Sequence, residues 1–179
     1  KPRFIVQSKY DILFGADKSY TACRYHTDYR KFLFIKSGKI QVKMTPWKSA
    51  KYLYPENDFV NYEFRSPVDV WNPQEKYKNE MENLKFLEFE VLEGYMLYVP
   101  PFWFYSIRFL DNTAPTIVES YTYNSIMNIA SNLNNWLLYF LQQSNTTTKV
   151  LKKKELTPIE EIPDKQGEPI PEEIKNEEK

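Results

Sequence analysis

His26-Thr27-Asp28 is where this sequence pairs an imidazole with a carboxylate at strand spacing. Residues i and i+2 of an extended segment share one face and lie roughly 6–7 Å apart along it. Both donors would therefore meet the same cavity, a geometry that suits two adjacent ligands on one metal ion. Non-haem iron centres that activate oxygen use two histidines and one carboxylate, with positions left open. His26 is the chain's one histidine, so no mechanism needing two is available within the chain.

The next candidate group lies on Gly94 to Phe109, Gly-Tyr-Met-Leu-Tyr-Val-Pro-Pro-Phe-Trp-Phe-Tyr-Ser-Ile-Arg-Phe. Tyr95 to Val99 is rich in the aromatic and branched residues that favour strands. Pro100 and Pro101 cannot donate to a ladder, so pairing breaks there. Beyond the corner, Trp103, Tyr105, Ile107 and Phe109 share one face, with Phe104, Ser106 and Arg108 on the other. Tyr105 thus turns inward with the bulky apolar set.

Several elements must position these groups. Phe4 to Val6 and Tyr10 to Phe14 are short strand candidates, the second ended by Gly15-Ala16-Asp17-Lys18. Tyr20 to Asp28 reads as extended. Phe32-Leu33-Phe34-Ile35 is a continuous apolar run, the pattern of a strand buried on both faces. Ile40, Val42 and Met44 alternate with Gln41 and Lys43, and Leu87, Phe89 and Val91 with Glu88 and Glu90, as in half-buried strands. In the segment from Trp47 to Asn83, Tyr52-Leu53-Tyr54 and Tyr62-Glu63-Phe64 are short strand candidates, and the rest reads as a long ordered loop over the domain, with a helix at Gln74 to Asn83. Thr116 to Tyr123 is a last strand.

The period then changes to three and four residues at Ile126, Ile129, Leu133, Trp136, Leu137, Phe140 and Leu141. That spacing predicts one amphipathic helix over 124–145, capped by Asn124 or Ser125. From 146 to 179 the chain is rich in Lys, Glu and Pro and is expected to be disordered. The fold class expected is mostly β, a barrel or sandwich over 1–123 with one C-terminal amphipathic helix.

Composition narrows the partners. The chain of 179 residues balances 24 basic against 24 acidic residues, which argues against a general binder of nucleic acid or anionic membrane. One cysteine, Cys23, leaves no intrachain disulfide and favours a reducing, intracellular compartment. No apolar run reaches the roughly 20 residues of a membrane span. The chain opens on Lys1, and the reading leaves room for a signal or anchor upstream.

These blocks, in order, resemble the cupin-like branch of the JmjC family, iron- and 2-oxoglutarate-dependent oxygenases built on a double-stranded β-helix. The likeness covers roughly Tyr10 to Tyr123. It rests on Ile12-Leu13-Phe14-Gly15, on His26-Thr27-Asp28 as the HxD pair, and on Phe32 to Met44 as a hairpin about Gly38. Thr45-Pro46-Trp47 and the block from Gly94 to Phe109 complete it. The resemblance makes His26, Asp28 and the residue at 105 the metal ligands. Where the family has its second histidine, this chain has Tyr105. Where the family's 2-oxoglutarate lysine falls, it has Ile40, and Cys23 and Tyr95 replace a threonine and an aspartate of the pattern. Arg24, Lys39 and Arg108 are the substitute anion anchors the sequence offers.

The leading expectation is a degenerate relative, a pseudoenzyme with no tightly bound cofactor, acting as a structural or protein-interaction module. Ile129, Leu133, Trp136, Leu137 and Phe140 would hold the helix on the barrel and form a contact with a protein partner or a second copy, as C-terminal helices do in the hydroxylases it resembles. The alternative is a live hydroxylase of protein side chains, holding Fe(II) through His26, Asp28 and Tyr105 and using 2-oxoglutarate. A second alternative is a small-ligand-binding cupin. The Asn, Lys and Tyr bias suggests an AT-rich genome, and similar cupin-like proteins occur in large DNA viruses.

Overall fold

Among the described residues ten strands divide between two antiparallel sheets. The computed structural model describes residues 4–110 and 115–155, with 146–155 as backbone. In chain order the strands are β1 (Ile5–Gly15), β2 (Arg24–Tyr25), β3 (Arg30–Ser37), β4 (Lys39–Thr45), β5 (Glu56–Asp58), β6 (Glu63–Arg65), β7 (Leu87–Leu92), β8 (Met96–Val99), β9 (Phe104–Phe109) and β10 (Thr116–Ser125). The first sheet runs β1-β10-β3-β8 and the second β5-β6-β2-β9-β4-β7. This is the expected mostly-β jelly-roll fold with helices at its C-terminal end.

The main core lies between the sheets. Leu33 and Ile35 of β3, Val99 of β8 and Val118 of β10 meet Ile40, Val42 and Met44 of β4 and Tyr105, Ile107 and Phe109 of β9. Each set follows the two-residue period of its strand. Burial of these side chains contributes roughly 1.5–3 kcal/mol apiece.

A second core sits on the outer face of the second sheet. Phe104 and Tyr25 point away from the main core and pack with Leu53, Phe64, Val68, Val70 and Leu84. The segment expected to be an ordered loop is therefore a cover. Its pieces include α1 (Ala50–Leu53), helical where Tyr52 to Tyr54 reads as a strand, β6 at the second short candidate, and α2 (Lys78–Glu82), preceded by a 3-10 turn at Glu75–Tyr77.

Several expectations change. The two N-terminal strand candidates are one strand, because β1 pairs with β10 throughout, with one irregularity between Ile5 and Gln7. Of the extended stretch from Tyr20 to Asp28, only an isolated bridge at Tyr20 and the two residues of β2 pair. The run Phe32 to Ile35 is buried on one face only, with Leu33 and Ile35 inward and Phe32 and Phe34 half-buried outward. Phe32 to Met44 is not a hairpin: β3 pairs with β10 and β8, while β4 pairs with β7 and β9. Gly38, at φ 80°, turns the chain from one sheet into the other in a conformation side chains disfavour.

The C-terminal helix is two. After β10, which reaches Ser125, come α3 (Ile126–Ser131) and α4 (Leu133–Glu155). Ser125 is the cap, its hydroxyl accepting from the Asn128 amide. Asn132 separates the helices, its side chain donating to the Asn128 carbonyl. The helix continues past the expected boundary into 146–155, while the tail from 156 to 179 lies outside the described residues. Among the described residues no helix is long and apolar enough to cross a membrane.

Candidate functional site

His26, Asp28 and Tyr105 come together around one cavity of about 190 Å3. Tyr105 reaches it because β9 alternates, and Arg24 on β2 sits directly across the ladder from it. The rings of His26 and Tyr105 stand edge to face with centroids 6.3 Å apart. Both side chains are almost fully buried.

The HxD segment is not in a strand. It follows β2 and is fixed from three sides by hydrogen bonds. The proline corner supplies the first, as the Phe102 amide donates to the His26 carbonyl at 2.9 Å. The end of β10 supplies the second. The Asn124 side chain donates to Asp28 Oδ1 at 2.9 Å and accepts from the Tyr29 amide at 3.1 Å. Helix α3 supplies the third, through Asn128 Nδ2 donating to the Thr27 carbonyl at 2.8 Å.

The imidazole itself is committed. His26 Nε2 lies 3.1 Å from the Val99 carbonyl oxygen. A carbonyl can only accept, so Nε2 carries the proton. The Nδ1 lone pair then faces Asp28 Oδ2 at 3.6 Å and makes no hydrogen bond. Burial pulls the His26 pKa down to about 4, against the neighbouring carboxylate, which pushes it up. The ring is neutral at physiological pH.

This donor set does not fit the Fe(II) that the resemblance implies. Among the described residues no three of His, Cys, Asp and Glu converge. Nε2 is turned to the backbone, and the third position presents a phenol. Cys23 is not a substitute ligand or nucleophile, since it is buried and its thiol pKa is pushed up to about 12.

The anchors divide. Arg24 lines this cavity and a neighbouring one of about 310 Å3, and its Nε is buried without a hydrogen-bond partner. Lys39 and Arg108 do not reach either. Lys39 is exposed at the start of β4. Arg108 points to the outer face of β9, its guanidinium 4.2 Å from the Trp71 ring centroid. Lys31 lines both cavities, unforeseen in the sequence, although it alternates with the outward Phe32.

The model of the cupin-like domain matches residues 6–134. The chain belongs to the cupin-like domain family. No curated protein sequence matches it. In fold it is similar to the solved structure of BH2720 from Bacillus halodurans, at 14% identity over 65% of this chain and 62% of that one, TM-score 0.41. Hydroquinone 1,2-dioxygenase from Sphingomonas sp. TTNP3 gives 11%, 67%, 61% and 0.42. The CENP-C cupin domain of Drosophila melanogaster gives 8%, 67%, 62% and 0.38. The aligned region covers about three-fifths of each of those chains. Likeness this distant does not extend to activity.

In this cupin-like domain the buried neutral histidine has a thermodynamic signature. Unfolded His26 binds a proton near pH 6.5, whereas folded His26 does so only at about 4. The unfolded state therefore takes up the proton first as pH falls, and stability drops through that window. The loss from this one group between pH 7.5 and pH 5 is about 2 kcal/mol. Urea unfolding at the two pH values should show it. His26→Gln, whose amide can still donate to Val99, should flatten the dependence by that amount.

The C-terminal apolar stripe also divides. Trp136 stacks on Tyr62 at 4.8 Å, and Tyr139 meets Tyr62 edge-on at 5.6 Å. These hold α4 against the loop beside the HxD segment. Trp136 is thus a docking residue within the chain. Ile129 is half-buried, and Leu133, Leu137 and Phe140 are more than half exposed.

Proposed function

We propose that this cupin-like domain has lost turnover and acts as a protein-interaction module. The reading rests first on the His26 Nε2 hydrogen bond to the Val99 carbonyl, which commits that ring nitrogen to the backbone. Two further features support it. Tyr105 stands at the third-ligand position, and Ile40, at the place of the cosubstrate lysine, is wholly buried in the core. An apolar side chain there offers no charge to a carboxylate. The exposed face of α4, with Leu133, Leu137 and Phe140, supplies a surface for a partner.

The deciding experiment is metal content and succinate release after purification with added Fe(II), with His26→Ala as the control. The expected result is no stoichiometric metal in either protein and no succinate from 2-oxoglutarate. Stoichiometric iron that His26→Ala abolishes, together with succinate, overturns the reading in favour of a hydroxylase.

A gain-of-binding variant checks the geometry from the other side. Tyr105→His places an imidazole where the facial set needs one. Because His26 Nε2 stays on the Val99 carbonyl, the donor left to a metal is Nδ1, and Mn(II) affinity, by titration calorimetry, should rise by no more than about tenfold over wild type. A rise to stoichiometric binding would show that the Val99 hydrogen bond yields to a metal, and would favour the hydroxylase reading.

A further inference from the structure

An apolar and aromatic patch crosses the middle of the outward face of the first sheet. Pleating sends alternate side chains there, and the register lines them up across all four strands. One row is Ile12, Glu119, Phe34 and Met96. The next is Tyr10, Tyr121, Phe32 and Tyr98. Beyond the first row, Phe14 lies beside Ile117. Exposure reaches 62% at Tyr10, 58% at Ile12, 68% at Phe14 and 56% at Met96. The rings already pack on one another: Tyr10 meets Tyr121 edge-on at 5.7 Å, and Phe32 lies 5.4 Å from Tyr98. The corresponding face of the second sheet carries Phe104, Tyr25 and Phe64 and is covered by the segment that forms the second core.

We propose that this face is a homodimer interface, occupied by the same face of a second copy. Three observations favour a second copy. The first is charge. Glu119 is the one ionised group in the two rows, and it accepts a hydrogen bond from the Tyr121 hydroxyl; Arg30 and Lys36, exposed on the same side of β3, lie at the edges of the patch. Two such faces carry little to repel each other, and depletion of charge is the mark of homodimer interfaces. The second is size. Five exposed side chains, Tyr10, Ile12, Phe14, Met96 and Tyr98, present on the order of 100 Å2 each, so with the partly covered rings between them the face offers on the order of 600 Å2, the low end of what one partner contributes to a specific interface. The third is shape. Sheets pack face to face with their strands within about 30° of alignment, and a two-fold axis through the face makes the contact self-complementary and closed. This surface is separate from the cavity and from α4, so it stands or falls independently of the interaction reading above.

Sedimentation of the full chain tests it. Wild type is expected to be a dimer at micromolar concentration. Phe14→Glu and Ile12→Lys should be monomers with an unchanged circular dichroism spectrum, since these side chains leave the fold outward. Glu119→Gln keeps an acceptor for Tyr121 and removes the charge that dimerisation would desolvate, so it should tighten the dimer by about tenfold. Leu137→Asp should leave the dimer intact. Hydroxyl-radical labelling of wild type needs no variant: on concentration, Tyr10, Phe14 and Met96 should lose labelling while Leu137 and Phe140 keep it. A wild-type monomer with these three labelled at every concentration overturns the proposal. So does a dimer that survives Phe14→Glu and is lost in Leu137→Asp.

Discussion

Phe104→Ala is expected to destabilise the protein by about 3–5 kcal/mol, the range for removing a fully buried aromatic ring. Phe104 has no exposed surface. It lies flat against Trp47 at 5.6 Å and edge-on to Tyr25 at 5.1 Å. Alanine would leave a hole bounded by these rings and by the segment that covers the second sheet. In a chain of this size such a loss lowers Tm by roughly 10 °C or more. Urea unfolding gives the free energy directly. Phe32→Ala, on the half-buried outer face of the first sheet, should cost much less. If the Phe104 variant lost under about 1 kcal/mol, the covering segment would be a loose flap and the second core no core at all.

That second core explains which parts of the fold were legible in the sequence. Alternation in Ile40, Val42 and Met44, and in Trp103, Tyr105, Ile107 and Phe109, gave the strands and their inward faces, because a two-residue period is local. The same period placed Tyr105 on the side of the cavity. Which sheet a strand joins is not local. The run around Gly38 reads as a hairpin, yet β3 and β4 pair with four other strands and not with each other. Gln7, Ser8 and Lys9 interrupt the apolar pattern of β1 but not its ladder, since the backbone partners come from β10.

The site divides in the same way. His26 and Asp28 were legible as a pair, and the geometry keeps them at one cavity. Their partners were not. The hydrogen bond from Nε2 goes to a backbone carbonyl, Val99, which any residue type would supply. Asn124 holds Asp28 from 96 positions away along the chain. One signal was available for it: the buried positions of β10 are Thr116, Val118, Ser120, Thr122 and Asn124, mostly small and polar. A small, polar stripe at core spacing marks a strand whose inner face borders a cavity and not only packed core, as Ser120 and Thr122 do. The helix break at Asn132 combines a local contact, the side chain turning to the Asn128 carbonyl one turn back, with a non-local one, the Thr27 carbonyl that the same amide reaches at 3.5 Å.

Gly15→Ala is expected to cost more than Gly94→Ala. Gly15 closes β1, buried and paired with Thr116. A Cβ there would overlap Cγ and both Cδ atoms of Phe109. Cγ is the root of the ring, so a rotation that swings the tip aside does not relieve the clash. The backbone of Phe109 is tied as well: its amide donates to the Ser19 carbonyl, and it sits across the ladder from Ile40. Overpacking of this kind typically costs 1–3 kcal/mol, and a contact this short against a fixed ring belongs at the top of that range, about 3 kcal/mol. Gly94→Ala is the proper control. Nothing lies within 4 Å of its Cβ position, but its φ is +82°, so it pays only the left-handed penalty of about 1–2 kcal/mol. Urea unfolding of the two variants separates a steric cost from a conformational one. Adding Phe109→Leu, which removes most of the ring, should return part of the loss in the Gly15 variant and none in the Gly94 variant. Equal losses in the two single variants, with no such rescue, would mean that β1 does not press on β9.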